Sequence, residues 1–241
     1  MLNKNQTYNC SRPADRRRGD AQAGETWAEQ PSYVRTNEPV DGVPYLSSVI
    51  PQNRLDFLAE TCRQALKRCP GHVLEVGVYR GGTLSVLAQI VSEVCPQYRA
   101  IGIDTFSGHP YSDGHPVHPA GKYADVDITE LRAMFDAQTY GPWIDLHSGR
   151  VEKILDRISL NDIAFAHIDC DLYRPIKYCA SHVPNIMRPD GTLYFDDYAH
   201  EHCPGATRAV DETFPKDCLH EVVMSNDATC WSCFFRLDEV R

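Results

Sequence analysis

Two short apolar runs, Ile163–Ile168 and Thr192–Phe195, each stop on carboxylates, Asp169 with Asp171 and Asp196 with Asp197. Runs of that length read as buried strands. The segment between them has helical character and carries Pro184, which should kink it or end it early, while Pro189-Asp190-Gly191 should turn the chain into the second strand. Strand, crossover helix and strand make two parallel strands, side by side or nearly so. The unit Asn161–Tyr198 therefore demands an α/β sheet. It also brings four carboxylates to the carboxyl edge, where open α/β sheets bind their ligands.

The rest of the chain supplies the alternation that such a sheet needs. Arg54–Arg68 places Leu55, Leu58, Ala59, Cys62 and Leu66 on one helical stripe. His72–Gly77 is a first strand, followed by a glycine turn running into a helix, and Tyr98–Asp104 is a second strand with an acidic end. Thr105–Val126 is a long loop rich in His, Pro, Gly and Asp, which makes it a binding segment or a disordered one. Asp127 should cap a helix reaching Phe135, with Glu130 three residues on. Trp143–His147 is a third strand, Val151–Ile158 a short helix and Ala206–Phe214 a final one. His220–Ser225 and Cys230–Leu237 form a closing hairpin around Asn226-Asp227-Ala228-Thr229. The expected fold is α/β and Rossmann-like, a seven-stranded, mostly parallel sheet with an antiparallel last strand and helices on both faces. Residues 1–42, polar and carrying Arg16-Arg17-Arg18, are expected to be a flexible segment and 43–241 a single domain, with Val40–Gln52, just before the first helix, a candidate lid.

Charge narrows the partners. Twenty-four basic against thirty-three acidic side chains give a net charge of −9, which repels nucleic acid and an anionic membrane surface alike. No apolar run approaches the roughly 20 residues of a membrane span, and Met1–Asp20 has no apolar signal core, so a cytoplasmic protein is expected. The ten cysteines fall mostly inside apparent strands and helices (Cys62, Cys69, Cys95, Cys170, Cys179) and read as reduced, packed thiols. Cys230-Trp-Ser-Cys233 has redox spacing but lies in a strand pattern, and in His200-Glu201-His202-Cys203 adjacent side chains point apart, unlike a tetrahedral zinc set. Association with a second copy of the chain is left open.

The candidate chemistry lies at the strand ends. Glu75-Val-Gly77-Val-Tyr79-Arg-Gly81-Gly82 is not the dinucleotide G-x-G-x-x-G, yet its glycines let backbone approach a ligand at a helix N-terminus. Asp104 can accept from a ribose diol, which suits a dinucleotide or S-adenosyl-L-methionine, and the seven strands with a terminal hairpin favour the latter. Asp169, Asp196 and Asp197 offer the hard oxygens that suit Mg²⁺, since three acids so close repel unless a cation joins them. Asp171, two residues beyond Asp169, is expected on the same strand face and aimed at substrate.

The stretches F-A-H-I-D-C-D-L-Y-R-P-I-K, P-D-G-T-L-Y-F-D-D-Y and G-A-T-R-A-V-D-E-T-F, with E-V-G-V-Y-R-G-G-T and D-T-F-S-G, resemble the macrocin O-methyltransferase family, class I S-adenosylmethionine enzymes that methylate sugar hydroxyls on natural products. The likeness runs from about Val43 to Phe235. It implies a metal held by Asp169, Asp196 and Asp197 and a general base at Asp171. It also implies cofactor contacts from Glu75, Gly77, Tyr79, Gly81, Asp104, Thr105, Ser148 and Asp169. The loop H-P-Y-S-D-G-H-P-V-H-P departs from the family pattern and bears on the acceptor. The resulting expectation is an S-adenosylmethionine- and Mg²⁺-dependent O-methyltransferase acting on a small hydroxylated acceptor, a sugar or its conjugate. A catechol-type phenol methyltransferase and a silent nucleoside-binding module are the alternatives, and His200 or His202 is the reserve base.

Overall fold

The computed structural model describes residues 44–224 and 231–240, so the polar segment 1–42, Val43, Cys230 and the hairpin connection 225–230 lie outside the described residues. Seven strands form one sheet: β1 (His72–Val76), β2 (Ala100–Asp104), β3 (Ile144–Ser148), β4 (Ile163–Ile168), β5 (Met187–Phe195), β6 (His220–Met224) and β7 (Trp231–Arg236). Their order is β3-β2-β1-β4-β5-β7-β6, parallel throughout except for β7, which runs antiparallel to both its neighbours. The expected seven strands and closing hairpin are therefore present. Strand order reverses at β1, between β2 and β4, which opens a crevice at the carboxyl edge.

Side-chain alternation along the buried strands divides the core between two faces. Val73, Phe165 and Tyr194 pack with Leu58, Cys62 and Leu66 of α1 (Gln52–Arg68), with α2 (Gly82–Val94) and with α3 (Ile128–Asp136). On the other face Leu74, Ile103, Ile168 and Phe195 pack with α4 (Val151–Leu155), with Ile176, Cys179 and Val183 of α5 (Tyr173–Ile186), and with α6 (Pro204–Asp211). The short α7 (Leu237–Val240) follows β7. All eight described cysteines are free thiols, as the irregular spacing implied. Among the described residues no helix is long and apolar enough to cross a membrane.

Local differences from the sequence reading have physical causes. Pro184 lies inside the last turn of α5, where its missing N–H removes one i→i−4 hydrogen bond, and the helix stops two residues later at Ile186. Pro189-Asp190-Gly191 belongs to a bulge rather than a turn before the strand: β5 pairs with β4 at Met187 and again from Thr192, which puts four residues, Arg188–Gly191, opposite Ala164 alone, three more than a regular ladder holds. Asp127 caps α3 as expected, its Oδ1 accepting from Thr129 N at 2.7 Å and Glu130 N at 3.2 Å. Glu130 does not return the favour; Tyr45 Oη accepts from Asp127 N instead, at 2.9 Å. Pro44–Ile50 thereby becomes a strap across the start of α2, held also by Leu46 N donating to Arg80 O (2.8 Å) and by Ser48 Oγ against Thr83 Oγ1 (2.9 Å).

Candidate active site

The chain leaves β1 through Gly77, whose φ is +97° and where a Cβ would overlap the carbonyl oxygen of Asp169 leaving β4. Only glycine lets the two strand exits pass so closely. Asp104 ends β2 and fixes the turn: its Oδ2 accepts from Tyr79 N at 2.8 Å and its Oδ1 from Phe106 N at 2.9 Å. Oδ1 also has Thr105 Oγ1 at 3.4 Å, and Oδ2 can still take a second donor. Gly81, at φ +83°, caps α2, and Gly82 is crossed by the backbone of Ser47 and Ser48. Thr105 Oγ1 donates to Gly108 O at 2.8 Å, and the Tyr79 ring lies edge-on to Tyr123 at 5.0 Å. Ser148 stands apart, exposed on the outer strand and reaching the site only through Thr105 O at 3.5 Å.

Glu75 is fully buried, with Oε1 3.1 Å from His167 Nδ1 and no protein donor for Oε2. Burial, then the charges of Asp169 and Asp104, holds its carboxyl well above the usual range, while burial and then Arg54 push His167 down to about 3. The two thus form a neutral acid–imidazole pair. An orphaned buried carboxyl oxygen beside a glycine turn, with Asp104 at the next strand end, fits S-adenosylmethionine, whose ammonium and ribose hydroxyls are donors.

Asp169, Asp196 and Asp197 place carboxylate oxygens within 4.8 Å of one another. Asp196 is the held member: the buried Arg54 guanidinium binds its Oδ2, and Ser232 Oγ donates to its Oδ1 (3.2 Å) and its carbonyl (2.9 Å). Asp197 Oδ2 is buried without a protein donor. Burial, then the charge of Asp171, pushes Asp197 up to about 7; burial, then Asp197 and Asp171, holds Asp169 well above the carboxylate range. Hard oxygens that resist ionising together, one of them lacking a donor, fit a divalent cation such as Mg²⁺.

Asp171 is not on the strand face the spacing suggested. It follows β4 in a turn at φ +59°, and that left-handed backbone swings its carboxylate under the 105–127 loop. His109 Nε2 lies 3.0 Å from its Oδ2, His118 Nδ1 3.5 Å from its Oδ1, and Cys203 Sγ 3.7 Å from Oδ1. Burial raises its pKa, but the His109 hydrogen bond and the charges of His118, His109 and Lys122 outweigh it and bring the group to about 2. His200 and His202, the reserve bases, lie further along the edge with ring centroids 5.3 Å apart.

Among the site residues not singled out in the sequence are Arg54, His167, His109 and Tyr123. Arg54 carried a signal, a charge four residues before Leu58 on the buried stripe of α1. His167 carried one too, a polar residue in an otherwise apolar central strand. His109 and Tyr123 carried none, because loop folding rather than periodicity brings them in: His109 N donates to Lys122 O (2.8 Å) and Gly121 N to His109 O (2.8 Å), pinching the loop shut over the acids.

His167 gives a pH signature. An unfolded histidine takes a proton near pH 6.5, whereas the buried one resists until about 3, so folding stability attached to it is present above pH 6.5 and is lost as pH falls toward 3. His167→Gln is expected to show a shallower loss of stability between pH 6.5 and 4 than the wild type, by up to about 1.4 kcal/mol per pH unit. Parallel denaturant-midpoint curves for the two proteins would refute it.

No curated protein sequence matches this one. Among solved structures, the O-methyltransferase NovP is 21% identical with a TM-score of 0.65, covering 78% of this chain and 81% of NovP. CalS11, a calicheamicin methyltransferase, is 21% identical with a TM-score of 0.63 over 78% and 81% of the two chains. An O-methyltransferase from Bacillus cereus, solved with SAH, is 13% identical with a TM-score of 0.56 over 78% and 82%. At such identities the likeness is one of fold. The family described as methyltransferase domain, however, matches residues 74–198, which contain the glycine turn, the Asp104 strand end and all four acids. The chain belongs to that methyltransferase family.

Proposed function

We propose that the protein transfers the methyl group of S-adenosylmethionine to a hydroxyl oxygen of a small polyhydroxylated acceptor, a sugar or the sugar part of a conjugate, with Mg²⁺ at the acidic edge. The observation that carries this is the Asp169–Asp196–Asp197 cluster at the ends of β4 and β5, beside the glycine turn that leaves β1, with Asp171 following β4. The sugar reading draws on the macrocin-type resemblance and on CalS11, described as a TDP-rhamnose 3'-O-methyltransferase.

S-adenosylmethionine supplies an electrophilic methyl, and a divalent ion lowers the pKa of a hydroxyl it binds. The chain does the rest. Gly77 and the Asp104-pinned turn give the cofactor backbone to lie on, and Glu75 Oε2 offers a buried acceptor. Asp169, Asp196 and Asp197 would hold the ion, with Arg54 and Ser232 fixing the Asp196 carboxylate. Asp171, kept ionised by His109, takes the hydroxyl proton; a carboxylate this acidic is a competent acceptor only for a hydroxyl already acidified. The pinched loop closes the site from water, with Tyr123 packed against His109 at 5.3 Å.

The test is methyl transfer from labelled S-adenosylmethionine to nucleotide sugars, free glycosides and catechols. Chelator should abolish turnover and Mg²⁺ restore it. Asp104→Ala should weaken S-adenosylhomocysteine binding by about 1–3 kcal/mol in calorimetry. Full turnover in excess chelator would remove the metal, transfer to catechols alone would remove the sugar, and preferential binding of NAD would remove the cofactor.

A further inference from the structure

The proposed methyl transfer uses the histidine-rich loop only through His109, which holds Asp171 ionised, and leaves His118 without a part. Yet the fold carries two of its histidines, nine positions apart, to one carboxylate. His109 Nε2 faces Asp171 Oδ2 at 3.0 Å, His118 Nδ1 faces Asp171 Oδ1 at 3.5 Å, and the three ligand atoms lie within 4.8 Å of one another. We propose that His109, His118 and Asp171 form a second metal site, chemically distinct from the all-oxygen cluster and suited to a borderline transition ion of the Zn²⁺ or Fe²⁺ class.

Three observations support it beyond proximity. His118 is 5% exposed and its Nδ1, aimed at Asp171, makes no hydrogen bond, an arrangement that a ligated ion would complete. Its other nitrogen, Nε2, is 3.3 Å from Cys203 Sγ, the outer partner that fixes ring orientation in metal-bound histidines. The loop is also held in advance: His109 is clamped by Lys122 and Gly121, and His118 N donates to His115 O at 3.0 Å. Two imidazoles and one carboxylate favour Zn²⁺ or Fe²⁺, whereas Mg²⁺ prefers oxygen and should stay at Asp169, Asp196 and Asp197. If Asp171 is also the proton acceptor, a clause that rests on the proposed function, filling this site takes the acceptor away and Zn²⁺ slows transfer even in saturating Mg²⁺.

The experiment is a Co²⁺ titration of the full chain, stripped of metal and then held in millimolar Mg²⁺, read by visible absorption. One equivalent should develop ligand-field bands that Zn²⁺ abolishes and Mg²⁺ does not. His109→Gln and His118→Gln should each weaken Co²⁺ binding by about 100-fold, and His182→Gln, on the exposed side of α5, should leave it unchanged. Absence of bands at one equivalent, displacement by Mg²⁺, or bands unaltered in both variants would overturn the site. Should either variant fail to fold, the wild-type competition between Mg²⁺ and Co²⁺ decides alone. The spectrum does not depend on turnover, so a protein that binds Co²⁺ here but methylates nothing would refute the proposed function and leave this site standing.

Discussion

Asp171→Asn is expected to lower kcat by about 10²–10⁴-fold while leaving S-adenosylhomocysteine and Mg²⁺ affinities nearly unchanged. The amide has the shape of the carboxylate and retains one oxygen for His109 or His118, so the loop stays anchored through at least one of its contacts at 3.0 and 3.5 Å. What it loses is the capacity to accept a proton. Were the residue only a loop anchor, KM for the acceptor would rise while kcat held. Asp196→Asn separates the roles from the other side: its oxygen sits in the acidic cluster, so it should move the Mg²⁺ requirement to higher concentration. A purified Asp171→Asn protein with wild-type kcat at saturating substrates would remove Asp171 as the proton acceptor. His109 would then be the next candidate, because its Nδ1 is buried without a partner while its Nε2 is tied to Asp171.

What could be read in the sequence divides along local and non-local physics. β4 and β5 are apolar runs that stop on acids, and a buried parallel strand must look like that, so their adjacency and the four-acid edge followed directly. Gly77 was legible as a close approach, although not that the approaching group would be the carbonyl of Asp169. The ends of α5 and β5 were placed less well, because a proline in a final turn and a three-residue bulge alter hydrogen bonding without altering hydrophobic period. Asp171 was assigned to the right edge on the wrong geometry: spacing assumed a continuing strand, and its left-handed φ of +59° turns it toward the loop. The loop itself was legible only as long and histidine-rich. Which of its side chains reach the acids depends on backbone clamps between His109 and Lys122, residues whose pairing no periodicity encodes. Arg54 was lost for a different reason, since a charge on an apolar stripe is easily passed over when the stripe alone is used to identify the helix.

Arg54 has the second large effect. Its guanidinium and the Asp196 carboxylate are 4% and 5% exposed, so neither is relieved by water if the other goes. Arg54→Met keeps a long apolar stem in the first turn of α1 and removes the charge, leaving Asp196 beside Asp169 and Asp197 with only Ser232 and the more distant His167 Nε2, at 3.9 Å, for company. Breaking a buried pair on one side costs about 3–5 kcal/mol, which in a chain of this size lowers Tm by roughly 6–20 °C. A divalent ion bound at the same three acids would supply positive charge there, so Mg²⁺ should stabilise the variant more than the wild type and recover part of the loss. Arg54→Lys should fall between the two, keeping the charge but not the planar fork. The check is thermal unfolding of all three proteins with chelator and with saturating Mg²⁺. A metal-free Tm for Arg54→Met within a degree of wild type, or an equal Mg²⁺ increment in both, would mean that Arg54 does not neutralise the acidic edge. With that result, relief of the charge at the acidic edge would have to come from protons on Asp169 and Asp197 alone, the two carboxyls that burial and then neighbouring carboxylate charge already push upward.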